Sequence, residues 1–127
     1  MQNKRTDDFR FADEWGPEYV VKTYDEKTGM RGILVIDNTA LGPGKGGIRM
    51  TADISEEEVF RLARTMTWKN ALAGIPFGGA KAGIRFVPGK DNKQQFIESF
   101  ARSIKPLLIK KYIGGPDVNT GEREMQQ

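Results

Sequence analysis

Apolar and polar residues alternate in short runs over the first third of the chain, a pattern typical of β-strands. Residues 19–24 predict one strand and residues 31–37 predict a second, with a turn that ends at Gly29 between them. The two strands therefore predict a hairpin. After a loop, residues 46–50 predict a third, short strand.

The next segment has the pattern of a helix. Ser55 and the glutamates that follow it form a capping box, in which Ser55 is the N-cap and the carboxylates complement the helix dipole. Apolar residues then recur at helical spacing, and the helix is predicted to end at Gly74. Phe60, Trp68 and Leu72 widen its apolar surface, which indicates burial on more than one side.

Strands and helices alternate over the remaining residues. Residues 80–87 predict a strand that is entered through two glycines, and Asp91 is predicted to open a second helix that Pro106 ends or kinks. Residues 112–113 predict a short strand, and a last helix is predicted to start near Asn119. This order favours an α/β fold, with a mixed, mainly parallel sheet covered by helices.

The length and the lack of targeting patterns limit where the protein works. We expect the 127 residues to form a single domain, 1–127, with an N-terminal arm over about residues 1–17. No apolar run approaches the roughly 18–20 residues of a membrane helix, and the N-terminus has no signal-peptide pattern. We therefore expect a cytoplasmic protein without a membrane partner.

Cysteine and histidine are both absent, which removes several kinds of chemistry. Disulfides, thiolate nucleophiles, Ser-His-Asp triads and the usual zinc sites all require these residues, so we expect no metal site. Proton transfer must be done by Asp, Glu, Lys or Tyr. The formal net charge is +3, with acidic and basic residues interspersed, so we expect no nucleic-acid partner.

Three lysines lie among glycines or apolar residues, where lysine is unusual. Lys45 lies in GPGKGGIRM, Lys69 lies in TWKNALAGIPFGG, and Lys81 lies in GGAKAG. Ammonium groups gathered in one cleft would attract a carboxylate substrate. The alternatives are structural: a helix lysine such as Lys69 usually extends into solvent, and a strand lysine such as Lys81 can protect a sheet edge.

The glycines beside these lysines do not form a nucleotide-binding loop. Residues 42–47 match G-x-G-x-x-G, but a strand rather than a helix is predicted to follow them. Ala82 stands where a P-loop has Ser or Thr. Glycines such as Gly46 allow a ligand or a neighbouring backbone to approach, or they form a bulge or turn. Asp117 is typical of a turn or helix cap, and could also exchange protons beside Lys81.

Three segments together resemble the N-terminal substrate-binding (dimerisation) domain of the glutamate/leucine/phenylalanine/valine dehydrogenases. They are LGPGKGGIRM, ARTMTWKNALAGIPFGGAKAGI and PDVNTGEREM, and they are most like the glutamate branch. The resemblance implies reversible oxidative deamination of an amino acid to a 2-oxo acid and ammonia. It also implies NAD or NADP as cofactor, bound by a Rossmann domain. We expect that domain to be absent from these residues, which alone would then turn over no substrate.

The resemblance implies a role for each candidate residue. Lys81 would activate the attacking water, and Asp117 would exchange protons with the amino nitrogen. Lys69 would hold the α-carboxylate of the substrate, with Gly46 also in the substrate site. Lys45 would bind the distal carboxylate. Because the leucine branch has an aliphatic residue at that position, Lys45 favours a dicarboxylic substrate.

The substrate and the partners stay open at this point. Residues 24–43 are more similar to the leucine branch, which leaves glutamate and aliphatic amino acids as alternatives. The resemblance implies a homo-oligomer, and a separate cofactor-binding domain or chain could be a further partner. The alternative to an enzyme is a non-catalytic interaction or regulatory module that keeps the assembly surface of the family. Stabilisation by a substrate bound through Lys45 and Lys69 would distinguish the two.

Overall fold

The computed structural model of the protein describes residues 11–108 and 112–115. Its elements alternate after an N-terminal hairpin, in the predicted order. They are β1 (Tyr19–Asp25), β2 (Met30–Asn38), β3 (Gly44–Thr51), α1 (Glu56–Leu72), β4 (Gly78–Arg85), α2 (Lys93–Leu108) and β5 (Tyr112–Gly115). Within the described ranges, neither helix is long and apolar enough to cross a membrane.

The strands form one five-stranded sheet in the order β1-β2-β4-β3-β5. β2 pairs antiparallel with β1 and with β4, whereas β3 pairs parallel with β4 and with β5. Each helix is the crossover between two parallel strands, as such connections require. The mixed α/β sheet covered by helices is confirmed. Parallel pairs are half of the total rather than the majority, because the hairpin is itself an antiparallel pair and joins the rest of the sheet through another, between β2 and β4.

The two helices cover opposite faces of the sheet. Side chains alternate between the faces along each strand. The α2 face holds the larger apolar cluster, formed by Met30, Leu34, Ile36, Ile48, Met50, Ala80, Ala82, Ile84, Phe86, Phe96, Ile97, Phe100 and Ile104. The α1 face holds Ile33, Val35, Ile54, Val59 and Ala63. Because Ala80 and Ala82 face α2, Gly79, Lys81 and Gly83 of β4 face α1.

Local signals determine the ends of α1 as predicted. The Ser55 Oγ accepts a hydrogen bond from the Glu58 amide at 3.1 Å, and Gly74 takes a positive φ of 71° just beyond the last turn. The predicted extra burial holds for Phe60, which is half-buried and packs against the α1-face cluster, and is wrong for Trp68 and Leu72. Trp68 is 43% exposed and Leu72 is 88% exposed, because their helical positions turn them away from the stripe that packs on the sheet.

The second helix begins later than predicted. The Asn92 side chain accepts a hydrogen bond from the Gln95 amide at 2.9 Å and so caps α2, whereas the Asp91 carboxylate accepts from the Val87 amide at 2.8 Å and closes the preceding turn. Pro106 lies in the last turn of α2, which continues to Leu108. The helix predicted near residue 119 lies outside the described residues.

Candidate functional site

The C-terminal end of α1 lies over the N-terminal ends of β3 and β4. Near the start of the helix, Glu58 accepts a hydrogen bond from Arg49, towards the end of β3, at 3.2 Å. Near the end of the helix, the side-chain Nδ2 of Asn70 donates to the Gly78 carbonyl at 2.7 Å and to the Lys45 carbonyl at 3.4 Å. Asn70 is buried, so it fixes the end of the helix to both strands.

Lys45 and Lys81 share the face of the sheet that α1 covers. Lys45 pairs with Gly79 in the register of β3 and β4, and Lys81 lies two residues further along β4. Strand spacing and residue rise place their Cα atoms about 8 Å apart. Lys45 is exposed, and its Nζ lies 5.0 Å from the centroid of the Phe77 ring, a cation–π contact. Two cationic side chains thus project from adjacent strands on one side.

Lys81 is buried beneath α1, with 7% of its surface exposed. The neighbours of Lys81 on its own face of β4 are Gly79 and Gly83. A Cβ at Gly79 would overlap the amide and hydroxyl of Thr67, so glycine allows the helix to pack this closely. β4 lies between β2 and β3, which excludes the alternative that Lys81 protects a sheet edge.

Lys69 lies on the side of α1 that borders β3. It follows Glu58 by eleven residues, which is about three helical turns and returns to the same side of the helix. Glu58 contacts Arg49 of β3, so Lys69 lies on the same side of α1, near the opposite end of that strand, where Lys45 lies. Its side chain is exposed, as expected of a helix lysine. The fold therefore brings all three lysines to the same end of the α1 face.

Gly46 and Asp117 are the two remaining candidate site residues, and the structure describes only Gly46. The space beside Gly46 is taken by the Ala80 carbonyl of β4, so a close approach of backbone explains the glycine. Its role in substrate binding stays a prediction. Asp117 lies outside the described residues. The strand that leads towards it, β5, runs beside β3, with Gly46 opposite Gly114.

A buried carboxylate near these lysines was missed by the sequence analysis. Asp37 is fully buried at the end of β2, two residues after Val35, the partner of Lys81. It accepts hydrogen bonds from Arg64 Nε and from Thr67 Oγ1, both at 2.7 Å. A signal was present, because an aspartate that ends an apolar strand is unusual unless it is paired.

Arg64 connects this carboxylate to the N-terminal arm. Its Nη1 and Nη2 donate to the Asp13 carboxylate at 2.8 and 2.9 Å, while Nε and Nη2 donate to Asp37. The hydrogen bonds from Arg64 lower the pKa of Asp13 to about 2, and the two carboxylates raise the pKa of Arg64. The arm is also held by the edge-to-face contact of Trp15 with Trp68.

The arrangement can bind a small anion with more than one negative group. Lys45 and Lys69 are accessible cations, and among the described residues neither has a carboxylate within ion-pair distance. Lys81 lies deeper, where water is largely excluded and its charge acts more strongly on a polar bond. The described residues contain no group of side chains suited to hold a metal ion.

Comparisons with known proteins agree on one family. The sequence model described as Glu/Leu/Phe/Val dehydrogenase, dimerisation domain, matches residues 17–127. Leucine dehydrogenase of Bacillus subtilis (strain 168) is 38% identical over 121 residues, which are 92% of this chain and 33% of that protein. NADP-specific glutamate dehydrogenase of Saccharolobus shibatae is 40% identical over 94 residues, which are 69% of this chain and 22% of that protein.

Solved structures lead to the same group of proteins. L-tryptophan dehydrogenase from Nostoc punctiforme superimposes with a TM-score of 0.80 at 32% identity, covering 91% of this chain and 35% of that one. The chain thus spans about a third of the length of the leucine dehydrogenases it matches. By sequence and by fold, the chain belongs to the Glu/Leu/Phe/Val dehydrogenase family, a family of amino-acid oxidoreductases, and residues 17–127 match its dimerisation domain.

Proposed function

We propose that the chain is the substrate-binding and oligomerisation domain of a glutamate-type amino-acid dehydrogenase. The whole reaction would be reversible oxidative deamination of glutamate to 2-oxoglutarate and ammonia. NAD or NADP would accept the hydride while bound to another domain. The observation that best supports the proposal is that the elements carrying Lys45, Lys69 and Lys81 meet at one end of the α1 face.

Two carboxylates of the substrate would be held by the two exposed lysines. Lys69, on the last turns of α1, binds the α-carboxylate, and Lys45, on β3, binds the distal one. Both ammonium groups lack a carboxylate partner among the residues described, so a dicarboxylate would supply the missing charges. Holding both ends of the substrate also fixes its orientation, which lowers the barrier to reaction.

The buried lysine would act on the reacting carbon. Lys81 donates to the oxygen on that carbon and orients the water that adds to it, in a place where little solvent weakens the interaction. Asp117 is the proposed partner that exchanges protons with the amino nitrogen. Asn70 positions Lys45 and Lys81 indirectly, because its side chain fixes α1 to the two strands that carry these lysines.

Specificity for glutamate rests on Lys45. The relatives include leucine dehydrogenases and glutamate dehydrogenases at similar identity, so overall likeness does not choose between them. Lys45 is exposed in the free chain, but an aliphatic side chain packed against it would exclude water from its ammonium group without supplying a counter-charge, which costs binding free energy. A dicarboxylic substrate would avoid that cost.

Ligand binding by the 127-residue chain tests the proposal. Thermal and urea unfolding would be measured with 2-oxoglutarate and with 4-methyl-2-oxopentanoate, its aliphatic counterpart. We expect 2-oxoglutarate to stabilise the fold, by about 2.7 kcal/mol at a concentration of roughly 100 times Kd. Lys45→Leu should abolish the preference for 2-oxoglutarate, and Lys69→Ala should weaken both ligands. Lys27→Leu, in the exposed β1–β2 turn, is the control for net charge.

Each outcome separates the alternatives. Tighter binding of the aliphatic acid to the unchanged chain would show a leucine-type site and refute the assignment to glutamate. Loss of binding in Lys27→Leu equal to that in Lys45→Leu would show non-specific attraction. If the folded chain binds neither acid, the substrate-binding role is wrong, and a non-catalytic assembly module accounts for the fold.

A further inference from the structure

A cavity lies at the other end of α1, away from the three lysines. Its volume is about 380 Å³, and it opens where β1, β2 and β4 pass the first turn of the helix. Its floor is apolar, because Ile33 and Ile54 are almost fully buried there. The 17 residues of α1 separate this cavity from the lysine end by about 25 Å.

The walls of the cavity carry an excess of positive charge. Among the residues in the described ranges, Lys22, Arg31 and Arg85 line it, together with a single carboxylate, Glu56. Three cations and one carboxylate leave a net charge of +2. Glu56 pairs with Lys22 at 2.8 Å. Within the described part of the chain, neither arginine has a carboxylate within ion-pair distance.

One arginine of the cavity makes a cation–π contact. The Arg31 guanidinium lies 4.9 Å from the centroid of the Tyr24 ring, which also lines the cavity. A stacked guanidinium keeps its in-plane N–H groups available, and these match the oxygens of a phosphate in pairs. The volume of about 380 Å³ lies within the range of small-molecule sites.

We propose that this cavity is a second ligand site, which binds a small phosphate monoester that carries an aromatic group. The phosphate would lie between Arg31 and Arg85, since its charge of about −1.5 to −2 at neutral pH matches the excess of the walls. The aromatic group would pack on Ile33, Ile54 and the Tyr24 ring. The site is independent of the proposed dehydrogenase chemistry, because none of its residues belongs to the lysine cluster.

Phenyl phosphate titrated into the 127-residue chain is the test, with binding followed by NMR and calorimetry. We expect saturable binding at one site. Inorganic phosphate should bind more weakly, since it makes no apolar contact. Arg31→Met and Arg85→Met should each weaken phenyl phosphate by about tenfold or more, the effect of losing a charge-assisted hydrogen bond. Arg85→Lys keeps the charge but not the paired donors, and should give an intermediate loss.

Two further variants make the test specific. Arg61→Met is the matched control, since Arg61 is an exposed arginine of α1 that pairs with Glu57 outside the cavity. The affinity of this variant for phenyl phosphate should stay within about twofold of that of the unchanged chain. Glu56→Gln should tighten binding severalfold, because it removes the one carboxylate that competes with the phosphate.

Several results would overturn the proposal. They are binding that never saturates, an equal loss in Arg61→Met and Arg85→Met, and no gain in Glu56→Gln. Displacement of phenyl phosphate by 2-oxoglutarate would show that phenyl phosphate binds at the lysine cluster instead of in this cavity. Loss of binding as the chain self-associates, measured by sedimentation, would mean that a second copy covers the cavity.

Discussion

Replacing Arg64 with methionine removes the cation that links a buried carboxylate to the N-terminal arm. Asp37 is fully buried and accepts hydrogen bonds from Arg64 Nε at 2.7 Å and Nη2 at 3.2 Å, besides the one from Thr67 Oγ1. In Arg64→Met, the Thr67 hydroxyl is the donor to this carboxylate that remains among the described residues. The side chain of Arg64 is itself 17% exposed, so this is close to a buried ion pair.

The loss in the free energy of unfolding depends on the Asp37 carboxylate, which stays buried without its cationic partner. Removing one partner of a buried ion pair costs about 3–5 kcal/mol, chiefly because the other charge stays buried and uncompensated. The Thr67 hydrogen bond and the similar volume of methionine reduce this, so we expect a loss of about 3 kcal/mol. Asp37→Asn in the same background should recover part of it, because it removes the buried charge.

Urea unfolding of the two single variants and the double variant measures these energies, followed by tryptophan fluorescence. Arg61→Met is the control on the same helix, and its exposed pair with Glu57 should contribute about 0.5 kcal/mol or less. The reasoning is refuted if Arg64→Met stays within about 1 kcal/mol of the unchanged chain, a difference typical of an exposed pair. It is also refuted if Asp37→Asn has no effect in the Arg64→Met background.

Two further predictions concern acid stability and packing. The pKa of Asp13 is lowered in the fold to about 2, so its contribution is present above about pH 4 and is lost as the pH falls towards 2. Urea midpoints between pH 2 and 5 should therefore fall less steeply for Asp13→Asn, and equal slopes would contradict the role of Arg64. Gly79→Ala should destabilise the fold by about 1–3 kcal/mol, since the added Cβ would overlap Thr67. A urea midpoint unchanged in that variant would show that α1 can move away freely.

Local chemistry in the sequence was enough to predict where α1 begins and ends. The capping box at Ser55 and the glycine at position 74 predict α1 because each acts within one helical turn. Where two adjacent residues could both cap, the pattern was ambiguous. Asn92 caps α2 while Asp91 closes the turn before it, and the choice depends on the position of the Val87 amide.

Long-range placement was predictable only through the resemblance to a family. That Lys45 and Lys81 share a face depends on the pairing of Lys45 with Gly79, which joins distant parts of the chain. The Asp37–Arg64 pair depends on how α1 crosses β2, and no periodic pattern encodes that crossing. Exposure of Leu72 could not be predicted either, because an apolar residue does not indicate which face of a helix is covered.

NMR of the lysine side chains tests most directly whether three cations converge on one anion. The 127-residue chain would be labelled at lysine Cε and Nζ and titrated with 2-oxoglutarate. We predict that the signals of Lys45, Lys69 and Lys81 shift together along one saturation curve, while that of Lys27 in the β1–β2 turn stays in place. Shifts of the three with different midpoints, or a shift of Lys27 as large as theirs, would contradict a shared substrate site.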